Sequence, residues 1–239
     1  MQRPDKAANE AFYATQLEER RRFDDRPEKR HAVERFLGWV VPWLRAGDRV
    51  LDVAGGGGIY ASHLVRATGV SVVGVDIADA MVRQRGLDPL LPLNVVGDME
   101  ALPFADESFD AAIFVACLHH LPDPLLALRE AHRVVRRGGR IFSSDPSSLT
   151  AWVRSTQPIE GEPHEFRIWV PRLAAQMRAA GFEVEQVAGR ELTMRALGRI
   201  VAEPSLATYR AAERADRFLR LVPVLDRLGE VGLIRARKP

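Results

Sequence analysis

Four consecutive glycines between an apolar segment and a helical segment restrict how this chain can fold. The stretch reads VLDVAGGGGIY from Val50 to Tyr60, and ASHLVRA follows it. A strand that ends in a glycine loop and continues as a helix is typical of nucleotide-binding turns. Glycine lets the backbone approach a ligand closely, and the helix start offers free N–H groups. Gly56 to Ala61 also satisfies the G-x-G-x-x-G/A pattern of dinucleotide-binding folds, so the loop alone leaves the nucleotide open.

Short apolar segments alternate with helical segments through the middle of the chain, which predicts an α/β fold. The alternation implies right-handed crossovers and a mostly parallel, doubly wound sheet with helices on both faces. One helix is expected at 125–137, where LLALREAHRVVRR precedes two glycines that can end it. The predicted strands cover residues 49–53, 70–75, 93–96, 109–117, 140–144 and 182–187 and the segment VGLIRARKP.

The composition argues against several kinds of protein and site. The chain has one cysteine, Cys117, so neither an intrachain disulfide nor a cysteine-built metal site can form. Blocks of opposite charge at residues 18–25 and a net charge of +2 indicate a solvated helix face rather than a nucleic-acid surface. No signal peptide and no segment of about 20 apolar residues is evident. We therefore expect a cytoplasmic protein with no membrane span and no nucleic-acid partner, and the sequence does not indicate its oligomeric state.

Acidic residues at the predicted strand ends narrow the choice of ligand. Asp52 precedes the loop, where a carboxylate would repel a phosphate but not a ligand that carries an ammonium group. Asp76 follows the second strand and can accept two hydrogen bonds from ribose hydroxyl groups. Asp98 follows the third strand and can accept a hydrogen bond from an adenine amine, while Met99 can pack on the ring. These residues favour an adenosine ligand with an ammonium group over a dinucleotide.

Five segments of the chain occur in an order that is typical of one enzyme family. They are LDVAGGGG, VVGVDIADAMV, GDMEALPFADESFDAAIFVACLHHLPDP, VVRRGGRIFSSDP and AAGFEVEQV, and they lie within residues 45–190. In these segments the chain resembles class I S-adenosylmethionine-dependent methyltransferases, in the branch related to ubiquinone/menaquinone C-methyltransferases. The resemblance implies a Rossmann-like sheet of seven strands, mostly parallel with an antiparallel last strand. It also implies methyl transfer to a small organic acceptor, at oxygen, carbon or nitrogen of a metabolite or quinone-like compound.

The resemblance assigns one group of residues to the methionine end of the cofactor. Asp52 would support the glycine loop and, directly or through water, hold the ammonium group of S-adenosylmethionine. The backbone that would lie against the methionine part belongs to Ala54, Gly56, Gly58, Ala116 and Cys117.

A second group of residues would hold the adenosine end of the cofactor. Asp76 would bind the ribose hydroxyl groups, and Ile77 would pack against adenine. Asp98 and Met99 would bind the adenine ring itself.

Histidines are the candidate general bases, because a hydroxyl or acidic carbon acceptor must lose a proton during methyl transfer. His119 and His120 follow the fourth strand, where the acceptor pocket of the family opens, and either can instead be an ordinary hydrogen-bonded loop histidine. His164 lies on the connection that covers such active sites. Phe12 and Tyr13 can form a lid or a simple apolar anchor. We predict no metal ion.

The sequence predicts a single domain with three parts. Residues 1–45 would form an N-terminal helical lid, residues 46–190 the cofactor-binding core, and residues 191–239 a helical insertion and the last strand. The acceptor pocket would be built from 1–45, 145–170 and 191–228. It can be lined by Trp152, Phe166 and Trp169, or these three residues can simply belong to the core. Two other functions stay open on the sequence, namely an NAD-dependent oxidoreductase and a non-catalytic protein that binds the cofactor.

Overall fold

The computed structural model describes residues 26–147, 158–159, 162–166, 168–190, 193, 204–219 and 231–239. Nine strands are found in this part of the chain, and seven of them form one sheet. The strands are β1 (Arg49–Val53), β2 (Ser71–Asp76), β3 (Leu93–Val96), β4 (Phe109–Val115), β5 (Val135–Pro146), β6 (Pro158–Ile159), β7 (Glu162–Phe166), β8 (Glu183–Arg190) and β9 (Val231–Arg237).

The main sheet has the strand order β3-β2-β1-β4-β5-β9-β8. Strands β3, β2, β1, β4 and β5 pair in parallel, whereas β9 runs antiparallel to both β5 and β8. The predicted fold class is therefore confirmed, including the antiparallel last strand. Strands β6 and β7 form a separate two-stranded sheet within a connection for which the sequence had predicted no strand.

Helices cover both faces of the sheet, as expected for strands that are apolar along their whole length. On one face, side chains from α1 and α2 form a buried cluster with strand residues such as Val50, Val72 and Ile113. On the other face, side chains from α4 and α5 form a second cluster with strand residues such as Leu51 and Val73. The helices are α1 (Pro27–Val40), α2 (Ile59–Thr68), α3 (Asp79–Arg85), α4 (Leu125–Val134), α5 (Val170–Ala179) and α6 (Leu206–Leu219), and short 3₁₀ turns cover Val41–Trp43 and Leu118–His120. No helix in the described residues is long and apolar enough to cross a membrane.

The prediction that α4 continues to residue 137 is wrong. The helix ends at Val134, and β5 begins at Val135, which pairs with Phe109 of β4 before a register irregularity. Two adjacent β-branched residues favour extended backbone at this point. Gly138 then adopts a φ of 75° and donates its N–H to the carbonyl of Lys238. The two glycines thus form a bend within β5 rather than the end of the helix.

Helix α6 packs against α1, which brings the two flanking regions of the chain together. His31 of α1 stacks on Tyr209 at a centroid distance of 5.6 Å, and its Nε2 lies 3.5 Å from a carboxylate oxygen of Glu213. Arg210 also forms an ion pair with Glu34. The helical segment after β8 and the helix before β1 therefore lie on the same side of the sheet.

Candidate active site

The order in which successive strands are added to the sheet reverses between β1 and β4, which are parallel neighbours. Strand β1 continues to β2 and β3 on one side, and β4 continues to β5 on the other. In open α/β sheets, ligands bind beyond the carboxyl ends of the strands at such a switch point. The residues that follow β1 and β4 are therefore the first candidates for a ligand site.

Ala54 and Ala116 follow these two strands and share an unusual backbone conformation. Their φ angles are 50° and 51°, in the left-handed region that non-glycine residues seldom adopt. The N–H of Ala54 donates to the carbonyl of Val75 at 2.7 Å, and the N–H of Ala116 donates to that of Ser144 at 2.8 Å. Each strand thus keeps one last bond to its outer neighbour and then turns. Such local strain concentrates at ligand-binding sites.

The glycine loop connects β1 to the start of α2. Gly56 and Gly58 have φ angles of 51° and 80°, and Gly58 precedes the first residue of the helix. No side chain caps this helix start, so its first N–H groups are available to a ligand. The loop can therefore donate hydrogen bonds to carboxylate or hydroxyl oxygens.

Two of the loop glycines are required by packing beneath the loop, which the sequence did not indicate. A Cβ atom on Gly55 would lie 2.7 Å from Nη1 of Arg85 and would overlap the Asp52 carboxylate. A Cβ atom on Gly58 would lie 2.6 Å from Cδ1 of Leu91. The loop is thus pressed against buried side chains on its inner side.

Asp52 forms a buried ion pair that the sequence analysis missed. Its Oδ2 lies 2.6 Å from Nη1 of Arg85, and each residue is 2% exposed. The available signal was Gly74, since a glycine inside an otherwise β-branched strand indicates a close approach. A Cβ there would lie 2.7 Å from Cζ of Arg85. The structure thus places Asp52 under the loop, with Arg85 as its partner.

Asp76 joins the end of β2 to the glycine loop. Its Oδ2 accepts the N–H of Gly56 and its Oδ1 accepts the N–H of Ala78, both at 2.9 Å. The residue is partly exposed, as is Ile77 beside it. A carboxylate oxygen can accept more than one hydrogen bond. The predicted ribose-binding residue therefore lies directly against the loop.

Asp98 and Met99 lie next to Asp76 at the same edge of the sheet. The N–H of Gly97 donates to the main-chain carbonyl of Asp76 at 2.9 Å, which holds the end of β3 against β2. Asp98 Oδ1 accepts the N–H of Glu100 at 2.9 Å, so the side chain has a fixed orientation. Met99 packs against the apolar cluster and stays partly exposed.

Cys117 is enclosed at the end of β4. It is 1% exposed, and burial, followed by the nearby Asp145 carboxylate, raises the pKa of its thiol well above the ordinary value. The thiol is therefore protonated near neutral pH and is a poor nucleophile. The main-chain N–H of Cys117 donates to Asp145 Oδ1 at 3.0 Å. The Cys117 side chain packs in the core as a small apolar group.

His119 is held by the same carboxylate. Its Nδ1 lies 3.2 Å from Asp145 Oδ1, and the hydroxyl of Ser143 donates to Oδ2 at 3.1 Å. His119 and Asp145 are 5% and 1% exposed. His120 is partly exposed, and its ring centroid lies 4.0 Å from that of His119. Sequence reasoning found both histidines but not Asp145 as their partner, because 26 residues separate Asp145 from His119.

Other predicted residues cannot be placed. His164 lies in β7, but its side chain is outside the described residues. Phe12, Tyr13 and Trp152 are also outside the described residues. Within the described ranges, no group of three or more His, Cys, Asp or Glu side chains can hold a metal ion.

Comparisons with known proteins indicate the family to which the chain belongs. A family model described as "Methyltransferase domain" matches residues 51–143. The ubiquinone biosynthesis O-methyltransferase of Pseudomonas aeruginosa is 32% identical over 60% of this chain and 68% of its own length. The ubiquinone/menaquinone biosynthesis C-methyltransferase of Dinoroseobacter shibae is 40% identical over 48% of each chain. The chain spans 58% and 48% of the lengths of the first two curated relatives that it matches, or about half of each.

A solved structure extends the comparison to almost the whole chain. A SAM-dependent methyltransferase of Thermotoga maritima superposes with a TM-score of 0.66 at 21% identity, over 95% of this chain and 98% of that one. At this identity the likeness shows the fold. The sequence relatives, with the ordered segments and the strand order, show the family and confirm the resemblance. The chain belongs to the class I S-adenosylmethionine-dependent methyltransferases.

Proposed function

We propose that this protein transfers a methyl group from S-adenosylmethionine to a small organic acceptor. One observation carries the proposal: at the switch point of the sheet, the Asp76 carboxylate is bonded to the N–H of Gly56 in the glycine loop. An S-adenosylmethionine bound at this edge would meet a carboxylate for its ribose and the uncapped start of α2 for its amino-acid part. The family and fold favour this function over an NAD-dependent oxidoreductase.

The residues present fit the cofactor at both of its ends. Asp76 can accept the ribose hydroxyl groups, and Ile77 lies beside it for the adenine ring. Asp98 has a fixed orientation at the end of the next strand and can accept the adenine amine, with Met99 partly exposed beside it. These assignments are supported by the adjacency of β2 and β3, whose register pairs Asp76 with Val96.

The methionine end would lie over main-chain groups. The start of α2 after Gly58 has no side-chain cap and can donate main-chain hydrogen bonds, and the turns at Ala54 and Ala116 open the sheet between β1 and β4. The backbone of Cys117 adjoins this opening. The Asp52 carboxylate reaches this region only from beneath the loop, because it is buried with Arg85.

A bound S-adenosylmethionine supplies a methyl group that is already electrophilic, so the protein has to orient the acceptor and exclude water. We assign the general base to His119. A carboxylate can only accept hydrogen bonds, so the contact with Asp145 favours the tautomer of His119 that carries its proton on Nδ1, and Nε2 of that tautomer is the basic nitrogen. His120, whose ring lies beside that of His119, is the second candidate, and a role for His164 stays a prediction.

The acceptor pocket would be formed by segments on either side of the core. The contacts of α6 with α1 support this, because they bring the segment after β8 to the helix before β1.

The division into a lid at 1–45, a core at 46–190 and an insertion at 191–239 is part of the same proposal. We also propose that the protein is cytoplasmic and that its acceptor is a metabolite rather than a nucleic acid. Curated relatives named as O- and C-methyltransferases of ubiquinone biosynthesis support an oxygen or carbon acceptor atom.

Calorimetry with S-adenosylmethionine and S-adenosylhomocysteine tests the cofactor. We expect both to bind with dissociation constants of about 1–100 μM, in the range typical of enzyme ligands, and NADH to give no heat. A chain that bound NADH but neither adenosyl compound would contradict the proposal. Tight binding without turnover across a panel of quinols, phenols and carboxylic acids would instead favour a non-catalytic cofactor-binding protein.

Replacing Asp76 with alanine should weaken the binding of S-adenosylhomocysteine by about 100-fold. The reason is that two charge-assisted hydrogen bonds to ribose would be lost, each contributing roughly 1.5–3 kcal/mol at most. Isothermal titration calorimetry measures the change. Asp79→Ala is the matched control, because Asp79 is an exposed carboxylate of α3 that pairs with Arg83. Equal affinity of the Asp76→Ala variant and wild type would remove Asp76 from the site.

A further inference from the structure

Two opposite charges are buried directly beneath the glycine loop. Asp52 is the fourth residue of β1, and Arg85 is the last residue of α3. Their side chains are 3% and 2% exposed, and Asp52 Oδ2 lies 2.6 Å from Arg85 Nη1. A pair so enclosed is not weakened by solvent in the way that surface pairs are.

The loop rests on this pair. Cβ atoms added to Gly55 and Gly58 would lie 2.7 Å and 3.0 Å from Nη1 of Arg85. The inner surface of the loop is therefore in contact with the guanidinium group at both ends of the glycine run. Any movement of Arg85 would leave a void under the loop or push the loop outward.

Arg85 reaches this position across β2. Gly74 is the residue that it crosses, since a Cβ there would lie 2.7 Å from Cζ of Arg85 and 2.7 Å from Oδ1 of Asn94. The Nε and Nη2 atoms of Arg85 are buried and have no hydrogen-bond partner among the described residues. Asp52 is thus the carboxylate that fixes the guanidinium, and the guanidinium in turn neutralises Asp52.

We propose that Arg85 is a positioning residue for the cofactor site, and that Asp52 acts through Arg85 rather than on the ammonium group of the cofactor. This inference rests on the proposed function, because it concerns the loop that would hold the methionine end. Arg85 packs under the loop and keeps the loop glycines in their left-handed conformations. Its positive charge neutralises the carboxylate of Asp52. The binding of the amino-acid part then depends on loop shape and main-chain N–H groups.

A charge-pair cycle separates the two roles of Asp52. Asp52→Asn and Arg85→Met should each weaken S-adenosylhomocysteine binding by about tenfold or more, because each leaves one buried charge without a partner. The combined Asp52→Asn/Arg85→Met variant removes both charges and should bind within about threefold of wild type. If Asp52 instead held the ammonium group, the combined variant would bind as weakly as Asp52→Asn alone.

The exposed pair on the same helix supplies the control. Arg83 Nε lies 2.7 Å from Asp79 Oδ2, and both side chains are largely exposed. Asp79→Asn and Arg83→Met should leave the affinity unchanged, singly or together. Calorimetry with S-adenosylhomocysteine and thermal unfolding followed by circular dichroism are the two measurements.

The outcomes are decisive even if the single variants do not fold. The combined variant then carries the test, and we expect it to fold and bind. Failure of the combined variant to fold, or a loss of affinity above about tenfold in it, would overturn the inference. Wild-type protein that bound no S-adenosylhomocysteine would overturn the proposed function itself, which is a distinguishable result.

Discussion

Replacing His119 with alanine should lower kcat by about 10²–10⁴-fold, which is the contribution expected of a positioned general base. The variant would lack the Nε2 atom that is proposed to accept the proton of the acceptor. It would also lack the Nδ1 contact by which Asp145 orients the ring. The measurement is the rate at which S-adenosylhomocysteine forms with an acceptor that the wild-type enzyme methylates. The affinity for the cofactor should stay within about threefold of wild type, because the proposed role of His119 is toward the acceptor and not the cofactor.

His120→Ala is the matched control for this prediction. The two histidines are adjacent in the chain and their rings lie 4.0 Å apart, and Asp145 contacts both the main-chain N–H and the ring Nδ1 of His119. We expect the His120 variant to keep most of its activity. If His119→Ala keeps its full rate and His120→Ala loses it, the base is His120. If both variants are fully active, the acceptor needs no histidine base, as a carboxylate or phenolate acceptor would not.

Replacing Gly74 with alanine should lower the free energy of unfolding by about 3–5 kcal/mol, the cost of separating a buried ion pair. The added methyl group would lie 2.7 Å from Cζ of Arg85 and from Oδ1 of Asn94. Arg85 would have to move, and Asp52 would then be a buried carboxylate without its partner. Urea denaturation followed by circular dichroism measures the loss.

Gly86→Ala controls for the effect of adding a methyl group near the same helix. Its Cβ would meet nothing closer than the carbonyl oxygen of Arg83 at 3.5 Å, and its φ of −62° suits alanine. The stability of this variant should stay within about 0.5 kcal/mol of wild type. In the Asp52→Asn/Arg85→Met background, the cost of Gly74→Ala should fall to about half. An unchanged cost there would show that Arg85 is not the group that the methyl displaces.

The acidic residues at the strand ends of the site were predictable, because each follows a short apolar segment. Asp76 and Asp98 come directly after β2 and β3, and parallel strands bring their carboxyl ends to one edge. The order of these segments was enough to indicate the family. The positions of Ala54 and Ala116 followed from the same reasoning, whereas their left-handed conformation required coordinates.

The side-chain pairs of the site were not predictable, because they join distant parts of the chain. Arg83 and Arg85 look equivalent in DAMVRQR, yet only Arg85 turns inward, where Gly74 leaves space for it. Asp145 likewise follows the predicted strand 140–144 directly, but the sequence did not show that it contacts His119. The end of α4 was misjudged since the pairing of Val135 with Phe109 overrides the helical pattern of VVRR.

The position of β9 between β5 and β8 has a consequence for how the protein is synthesised. Strands β1 to β5 leave the ribosome in order and can pair as they emerge, but the outer edge of β5 has no partner until β9 follows. Every residue between Pro146 and Val231 is added while that edge is open. An unpaired edge of an apolar strand invites association with other chains, so nascent molecules are most exposed to aggregation during this interval. The strands that carry the candidate site, β1 to β4, precede it, which lets that site form before the sheet is closed.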